Sequence, residues 1–389
     1  MPLFSGNDLP RDTQATYNPE WQADGTEAGV DTNTLPWLPH PMMPGFSMKP
    51  LRASRETGTF TILIRAQKGK VVPAHVLTGS QDTFVQSGTM VYPAGPAKGE
   101  LGPGAWSYLP AGTEVKGFKA VEESEYLVTC FGPQSFAKGH FSDVDVRSIA
   151  AKHGIPLVPS TLAEALEPAQ PKYSGKGDKL AISSPAIARL CSHGEKPIIT
   201  ELSTPHVVDT NAIPWIVDPE APDIALKVMR VSHETGHVSL IVRQNCIAPP
   251  HYHLGAADLF ITSGRVGIRA GPKEGYGPGT YMFEPAGARH EATQRLTDDD
   301  LIYAANVYGP IQFDSGVGTP VLAVQSWMQY LAAARAVGTP LLANASATRA
   351  ASAAPNAGAR ARPRISAAMG AARAAASRWF GKKKSKQPL

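Results

Sequence analysis

Cysteine is scarce: Cys130, Cys191 and Cys246 are an odd number, widely spaced, with no C-x-x-C pair. A disulfide framework is therefore not expected, and a reducing, cytoplasmic setting fits. No uninterrupted run of about eighteen apolar residues occurs, so no membrane-spanning helix is expected. The first residues, Met1-Pro2-Leu3-Phe4-Ser5-Gly6-Asn7-Asp8, lack the basic start and apolar run of a signal peptide. Aromatic residues make up 7 % and charged residues 18 %, against 42 % hydrophobic residues. That balance fits a soluble globular protein and neither a disordered nor a fibrous one. Glycine (36) and proline (35) are plentiful instead, which favours short strands and many turns over long helices.

The formal charge of +4 is unevenly spread. From residue 345 onward there are ten Lys/Arg and no acid, which leaves 27 basic against 33 acidic residues in the body. The alkaline balance thus belongs to an Ala/Arg/Lys-rich tail, 343–389, whose composition predicts disorder. Ile365, Met369, Ala372, Ala376 and Trp379 share one helical stripe there, and contact with an anionic surface is the alternative. No specific nucleic-acid site is expected.

The 389 residues contain an internal duplication. Asp31-Thr32-Asn33-Thr34-Leu35-Pro36-Trp37 recurs as Asp209-Thr210-Asn211-Ala212-Ile213-Pro214-Trp215. Leu51-Arg52, Gly102-Pro103-Gly104, Pro110-Ala111-Gly112 and Phe131-Gly132-Pro133 recur as Met229-Arg230, Gly277-Pro278-Gly279, Pro285-Ala286-Gly287 and Tyr308-Gly309-Pro310. The expected division is an extension over 1–28, one copy over 29–158, a linker over 159–206, a second copy over 207–342, and the tail. Within each copy, short β-branched and apolar runs bounded by glycine predict strands, as at 59–65, 238–243, 258–261 and 301–305. One helix should end each copy, near 146–152 and 326–336. Many short strands with Gly/Pro turns imply an all-β sandwich or closed barrel.

The second copy carries the chemistry. In Pro249-Pro250-His251-Tyr252-His253-Leu254-Gly255 the two histidines stand at i and i+2, so on a strand both imidazoles point to one face. A third, His290, follows in Pro285-Ala286-Gly287-Ala288-Arg289-His290. Three neutral nitrogen ligands suit Zn, Cu, Fe or Ni better than Mg or Ca, and leave positions open for a substrate. His233 and His237 read as surface or packing residues.

H-x-H followed by P-x-G-x-x-H resembles the two metal motifs of the cupin superfamily, whose members are double-stranded β-helix, or jelly-roll, barrels. Two copies resemble a bicupin. Residues 251–264 and 307–313 further resemble acetylacetone-cleaving dioxygenase, and Asp-Thr-Asn-x-x-Pro-Trp is similar to 2,4′-dihydroxyacetophenone dioxygenase. The resemblance implies Fe(II) held by His251, His253 and His290, with Arg269, Glu284 and Thr293 as polar residues around the metal. It implies a small diketone or hydroxyketone and O2 as reactants, and a homo-oligomer. Asp258 stands where many cupins place a glutamate ligand and is a possible fourth ligand. The alternatives are a non-catalytic zinc-binding sensor cupin of ChrR type, or a metal-dependent isomerase or hydrolase on the same barrel.

The first copy is an internal control. His75 matches His251, but Leu77 and Val115 replace His253 and His290, and Pro93, Leu109 and Phe118 replace Arg269, Glu284 and Thr293. The first copy is therefore expected to lack a complete metal site.

Overall fold

The computed structural model describes residues 29–92, 99–161, 205–218, 221–246, 248, 251–268, 274–290, 293–313, 320–321 and 323–339. For residues 218, 221, 289 and 290 the backbone alone is described. The extension, most of the linker and the basic tail lie outside these residues.

The first copy contributes β1 (Gly29–Asp31), β2 (Leu38–Pro39), β3 (Phe46–Ala53), β4 (Phe60–Ala66), β5 (His75–Leu77), β6 (Gln81–Ser87), β7 (Ala105–Leu109), β8 (Glu114–Val115), β9 (Ser124–Cys130) and β10 (Gln134–Phe136). Helix α1 (Asp143–His153) closes it. The second contributes β11 (His206–Asp209), β12 (Ile216–Asp218), β13 (Ala221–Val231), β14 (Val238–Gln244), β15 (His251–His253), β16 (Ala257–Ser263), β17 (Val266–Ile268), β18 (Thr280–Glu284) and β19 (Arg289–His290). It continues through β20 (Thr293–Arg295), β21 (Ile302–Val307), β22 (Ile311–Phe313) and β23 (Ala323–Gln325) to α2 (Trp327–Ala336). Both helices fall where the sequence places them. Ser142 and Ser326 start them with capping boxes, and Gly154 ends α1 in the left-handed conformation.

Two seven-stranded antiparallel sheets carry the architecture, in the orders β11-β7-β6-β9-β4-β3-β2 and β1-β18-β16-β21-β14-β13-β12. Each begins with a strand from the other copy. β1 pairs with β18 of the second barrel, and β11 pairs with β7 of the first. The two copies thus exchange their opening arms.

The repeated Asp-Thr-Asn-x-x-Pro-Trp is the latch of this exchange. Asp31 and Asp209 each accept from the backbone of the asparagine two residues on. Thr32 Oγ1 donates to Gly279 O (2.7 Å) and Asn33 Nδ2 to Pro278 O (3.1 Å). Thr210 and Asn211 bind Gly104 O and Pro103 O in the same way. Gly104 and Gly279 sit at φ 84° and 86°, and a Cβ there would come within 2.8 Å of Asn211 and 2.6 Å of Asn33. Only glycine fits both the backbone and the asparagine. Lys49 Nζ and Lys227 Nζ cap Thr32 O and Thr210 O at 2.7 Å, each lying over Trp37 or Trp215.

The sheets alternate faces. Phe60, Ile62 and Ile64 fill the first barrel, while Leu63 faces the layer between barrels. Val238, Leu240 and Val242 fill the second barrel, while Ile241 faces that layer. Leu51, Phe84, Trp106, Met229, Phe260, Tyr281 and Phe283 complete an apolar layer shared by both copies.

Within it lies a pseudo-symmetric polar set. Arg52 covers the Phe283 ring at 4.0 Å and Arg230 the Tyr108 ring at 3.8 Å. Asp258 accepts from Asn306 N, Asn306 Nδ2 and Tyr308 Oη. Asp82 is its counterpart, but Thr129 and Phe131 stand where Asn306 and Tyr308 do. Both Asp82 oxygens are buried without a hydrogen-bond partner, on a small cavity also lined by Thr129, Asp258 and Asn306. Burial raises the Asp82 carboxyl to about 7, opposed by Arg230 and reinforced by Asp258.

Asp82 stays protonated in the fold to about pH 7 but ionises near its ordinary 3.8 when unfolded. Asp82 should therefore contribute a fall in stability as pH rises from about 4 to about 7, by at most ~4 kcal/mol. The buried neutral His40 and His237 oppose it, contributing a rise up to about pH 6.5. Asp82→Asn should remove the Asp82 contribution, so that in urea melts the unfolding free energy of the variant gains on the wild type as pH rises from about 4 to about 7; a difference that does not change with pH would refute the assignment. Thr210→Val should lower unfolding free energy by about 1–2 kcal/mol, since Gly104 O loses its hydroxyl donor.

Candidate metal centre

The site is built on β15, which pairs with β19 on one side and β22 on the other. His251 and His253 are 9 % and 3 % exposed, while Tyr252 between them is only half-buried. Strand alternation thus sends both imidazoles inward, with ring centroids 4.9 Å apart. The His251 ring lies 5.1 Å from Phe313, its register partner on β22.

Local sequence explains the arrangement. Pro285-Ala286-Gly287-Ala288 is a tight turn closed by Ala288 N to Pro285 O at 3.0 Å, with Gly287 at φ 84°. His253 locks onto it through His253 N to Ala288 O (2.8 Å) and Gly287 N to His253 O (2.6 Å). The chain leaving the turn then runs antiparallel to β15 and sets the His290 backbone directly opposite His251. The His290 side chain is outside the described residues. Behind β15, a Cβ on Gly255 would lie 2.6 Å from Gly309 Cα, so this crossing requires glycine.

Glu284, 4 % exposed, is drawn into the same interior: its Oε2 lies 2.6 Å from His253 Nε2. Thr293 heads β20, and its Oγ1 accepts from Gln244 Nε2 at 2.9 Å. Gln244 and its partner Tyr303 carry no signal in the sequence, since Gln244 follows Arg243 at the polar end of its strand. Arg269 lies outside the described residues.

Asp258 does not join the histidines. The register pairs Ala257 with Glu284 and Asp258 with Phe283, so Glu284 faces the barrel and Asp258 faces the layer between barrels. Its carboxylate is occupied there by Asn306 and Tyr308 and lies in the field of Arg52. The expected possible fourth ligand is thus an inter-barrel residue. His237 packs in that layer as expected, its ring nitrogens bonded to Arg230 and Asn306. Burial first, then Arg230, lowers its imidazole to about 3.

The residues fit a divalent transition metal. Two imidazoles converge on one face of a short strand, the third histidine's backbone is in register opposite them, and a carboxylate adjoins one ring. Among the described residues no three His, Cys, Asp or Glu side chains form a metal-sized group, and the His290 side chain falls outside that count.

The first barrel keeps the scaffold without the chemistry. Thr113 N closes the same turn on Pro110 O, and Val115 sits opposite His75 as His290 sits opposite His251. Leu77 and Val115 are part of the apolar core. His75 Nδ1 donates to Pro73 O at 2.9 Å, and its ring stacks on Phe136 at 4.5 Å.

The ChrR cupin-like domain family matches residues 25–135 and again 203–308, more than half of the chain and both copies. No curated protein sequence matches. Among solved structures, a putative dioxygenase from Nostoc punctiforme is 16 % identical with a TM-score of 0.47, covering 79 % of this chain and 93 % of that one. A putative acetylacetone dioxygenase from Methylibium petroleiphilum is 23 % identical with a TM-score of 0.29, covering 31 % of this chain and 92 % of that one. Bacillus subtilis oxalate decarboxylase is 17 % identical with a TM-score of 0.43, covering 78 % and 80 %. Two profile matches on two barrels, each with the same turn set against the same short strand, make this chain a member of the cupin family, with two cupin domains in tandem.

Proposed function

We propose that the chain is a non-heme Fe(II) dioxygenase that cleaves a carbon–carbon bond of a β-diketone or hydroxyketone with O2. The observation that carries this reading is the inward-facing His251/His253 pair with Glu284 against it, in a barrel whose sister copy keeps one histidine, His75, and has leucines at the other two positions. His251, His253 and His290 would hold the metal. Bound Fe(II) would supply Lewis acidity that favours the enolate of a chelating substrate, and a redox centre for O2. Both atoms of O2 are then accounted for in a carboxylic acid and a carbonyl product.

The chain's own residues bind, orient and exclude water. Glu284, through its 2.6 Å contact, fixes the orientation of the His253 ring. Phe313 and Ile311 on β22 flank the histidine strand and give the site an apolar wall. Thr293 brings a hydroxyl to the same barrel, and Arg269 would steady an anionic oxygen. A non-catalytic zinc-binding cupin is the competing reading, favoured by the ChrR description of the family.

Metal content and turnover test this reading separately. Protein purified without added metal should contain about one iron per chain, and O2 uptake with acetylacetone or a hydroxyacetophenone should depend on it. Full zinc occupancy without iron-dependent O2 uptake on either class would sink the oxygenase reading. His251→Ala and His253→Ala should each lose stoichiometric metal by elemental analysis. Asp258→Asn should keep its metal while lowering thermal stability, because its carboxylate ties Asn306 and Tyr308 together between the barrels.

A further inference from the structure

Gln244, the last residue of β14, is 2 % exposed, and its carboxamide is held at both ends. Nε2 donates to Thr293 Oγ1 at 2.9 Å, and also faces Thr293 O at 3.2 Å and Cys246 O at 3.3 Å. Backbone carbonyls only accept, so the nitrogen must stand on that side and the oxygen on the other. Oε1 there accepts from Tyr303 Oη at 3.0 Å.

The bonds therefore have one direction. Tyr303 donates to Gln244, and Gln244 donates to Thr293. A hydroxyl whose oxygen already accepts an amide hydrogen keeps its own hydrogen for a further acceptor. Among the described residues none takes it: the Gln244 bond is the one that Thr293 Oγ1 makes. Thr293 stands three residues beyond His290, at the head of β20. Tyr303 shares the interior with Glu284, and burial together with that carboxylate keeps its phenol protonated.

The first barrel supplies the contrast. β4 and β14 correspond strand for strand, so Ala66 stands at the position of Gln244 and Tyr126 at that of Tyr303. Phe118 replaces Thr293. The phenol survives where the histidine pair is lost, but the amide and the hydroxyl it would orient do not.

We propose that Gln244 is a positioning residue, which turns the Thr293 hydroxyl hydrogen toward an anionic oxygen or nitrogen held at the metal centre. The inference rests on the oxygenase reading only for its substrate class, an enolate, whose oxygen would receive that hydrogen. An apolar residue at 244 leaves the hydroxyl rotor unset, and a carboxylate there reverses it, because an ionised Glu can only accept.

The test uses azide, a small anion, titrated into Co(II)-loaded full-length protein and followed by visible absorption. Gln244→Glu and Thr293→Val should each weaken azide binding about tenfold, with unchanged cobalt stoichiometry. In the Thr293→Val background, Gln244→Glu should add less than about twofold, because no hydroxyl remains to misdirect. A penalty that persists in that background would mark charge repulsion and overturn the proposal, as would wild-type affinity in Gln244→Glu. Gln244→Met, neutral and of similar length, should lose about threefold and regain nothing with Thr293→Ser; if Gln244→Glu misfolds, wild-type affinity in Gln244→Met overturns the proposal by itself. Azide binding requires no turnover. An enzyme inert toward acetylacetone would thus count against the oxygenase reading, while the azide cycle still decides the role of Gln244.

Discussion

Everything in this molecule hangs on two seven-stranded sheets that bury both of their faces. One face of each closes its own barrel; the other meets the sister sheet across a shared apolar layer. A sheet so placed has no solvated side to relieve an error of register, because a slip of one residue would exchange barrel and interface contacts. The exchanged arms hold the two sheets in this relation. Each arm adds a strand to the other copy's sheet and ends in a Thr–Asn pair seated on a glycine turn. The duplication therefore acts as a dimer tied into one chain.

The inter-barrel layer is also where the two copies have diverged electrostatically. Asp258 is satisfied by Asn306 and Tyr308, whereas Asp82 has kept its carboxylate and lost both counterparts. A buried acid without donors favours its neutral form. The same divergence appears inside the barrels. The first retains the turn, the paired short strands and one histidine, packed among Phe136 and the apolar core. The second replaces apolar groups with histidines, Glu284, Gln244 and Thr293. Scaffold and chemistry are separable because glycine and proline set the backbone, while the side chains on the inner face are free to change.

Much of this was legible in the residues themselves. Gly-bounded apolar runs marked the strands, one helix was expected at the end of each copy, and the H-x-H spacing alone required two imidazoles on one face. The P-x-G turn was legible as a motif, but its role was not: it carries the chain to the register in which residue 290 faces residue 251. The Asp-Thr-Asn-x-x-Pro-Trp repeat was legible as a family likeness, and only the fold shows that it latches one copy to the other. Nothing in the sequence joined Gln244 to Thr293 or Tyr303, because those residues are far apart along the chain and meet only when β14, β20 and β21 line one interior.

The sequence by itself determined the duplication, the barrel class and the inward-facing placement of the His251/His253 pair, since these depend on local spacing and on comparison of one copy with the other. Tertiary structure alone decided between Asp258 and Glu284. Both are acids on neighbouring strands, and both are fully buried, so neither hydropathy nor periodicity separates them. The pairing of Ala257 with Glu284 does: it turns Glu284 toward the histidines and Asp258 toward the sister barrel. In a sheet buried on both sides the pattern of side chains does not say which face is the inside, and long-range strand pairing settles it.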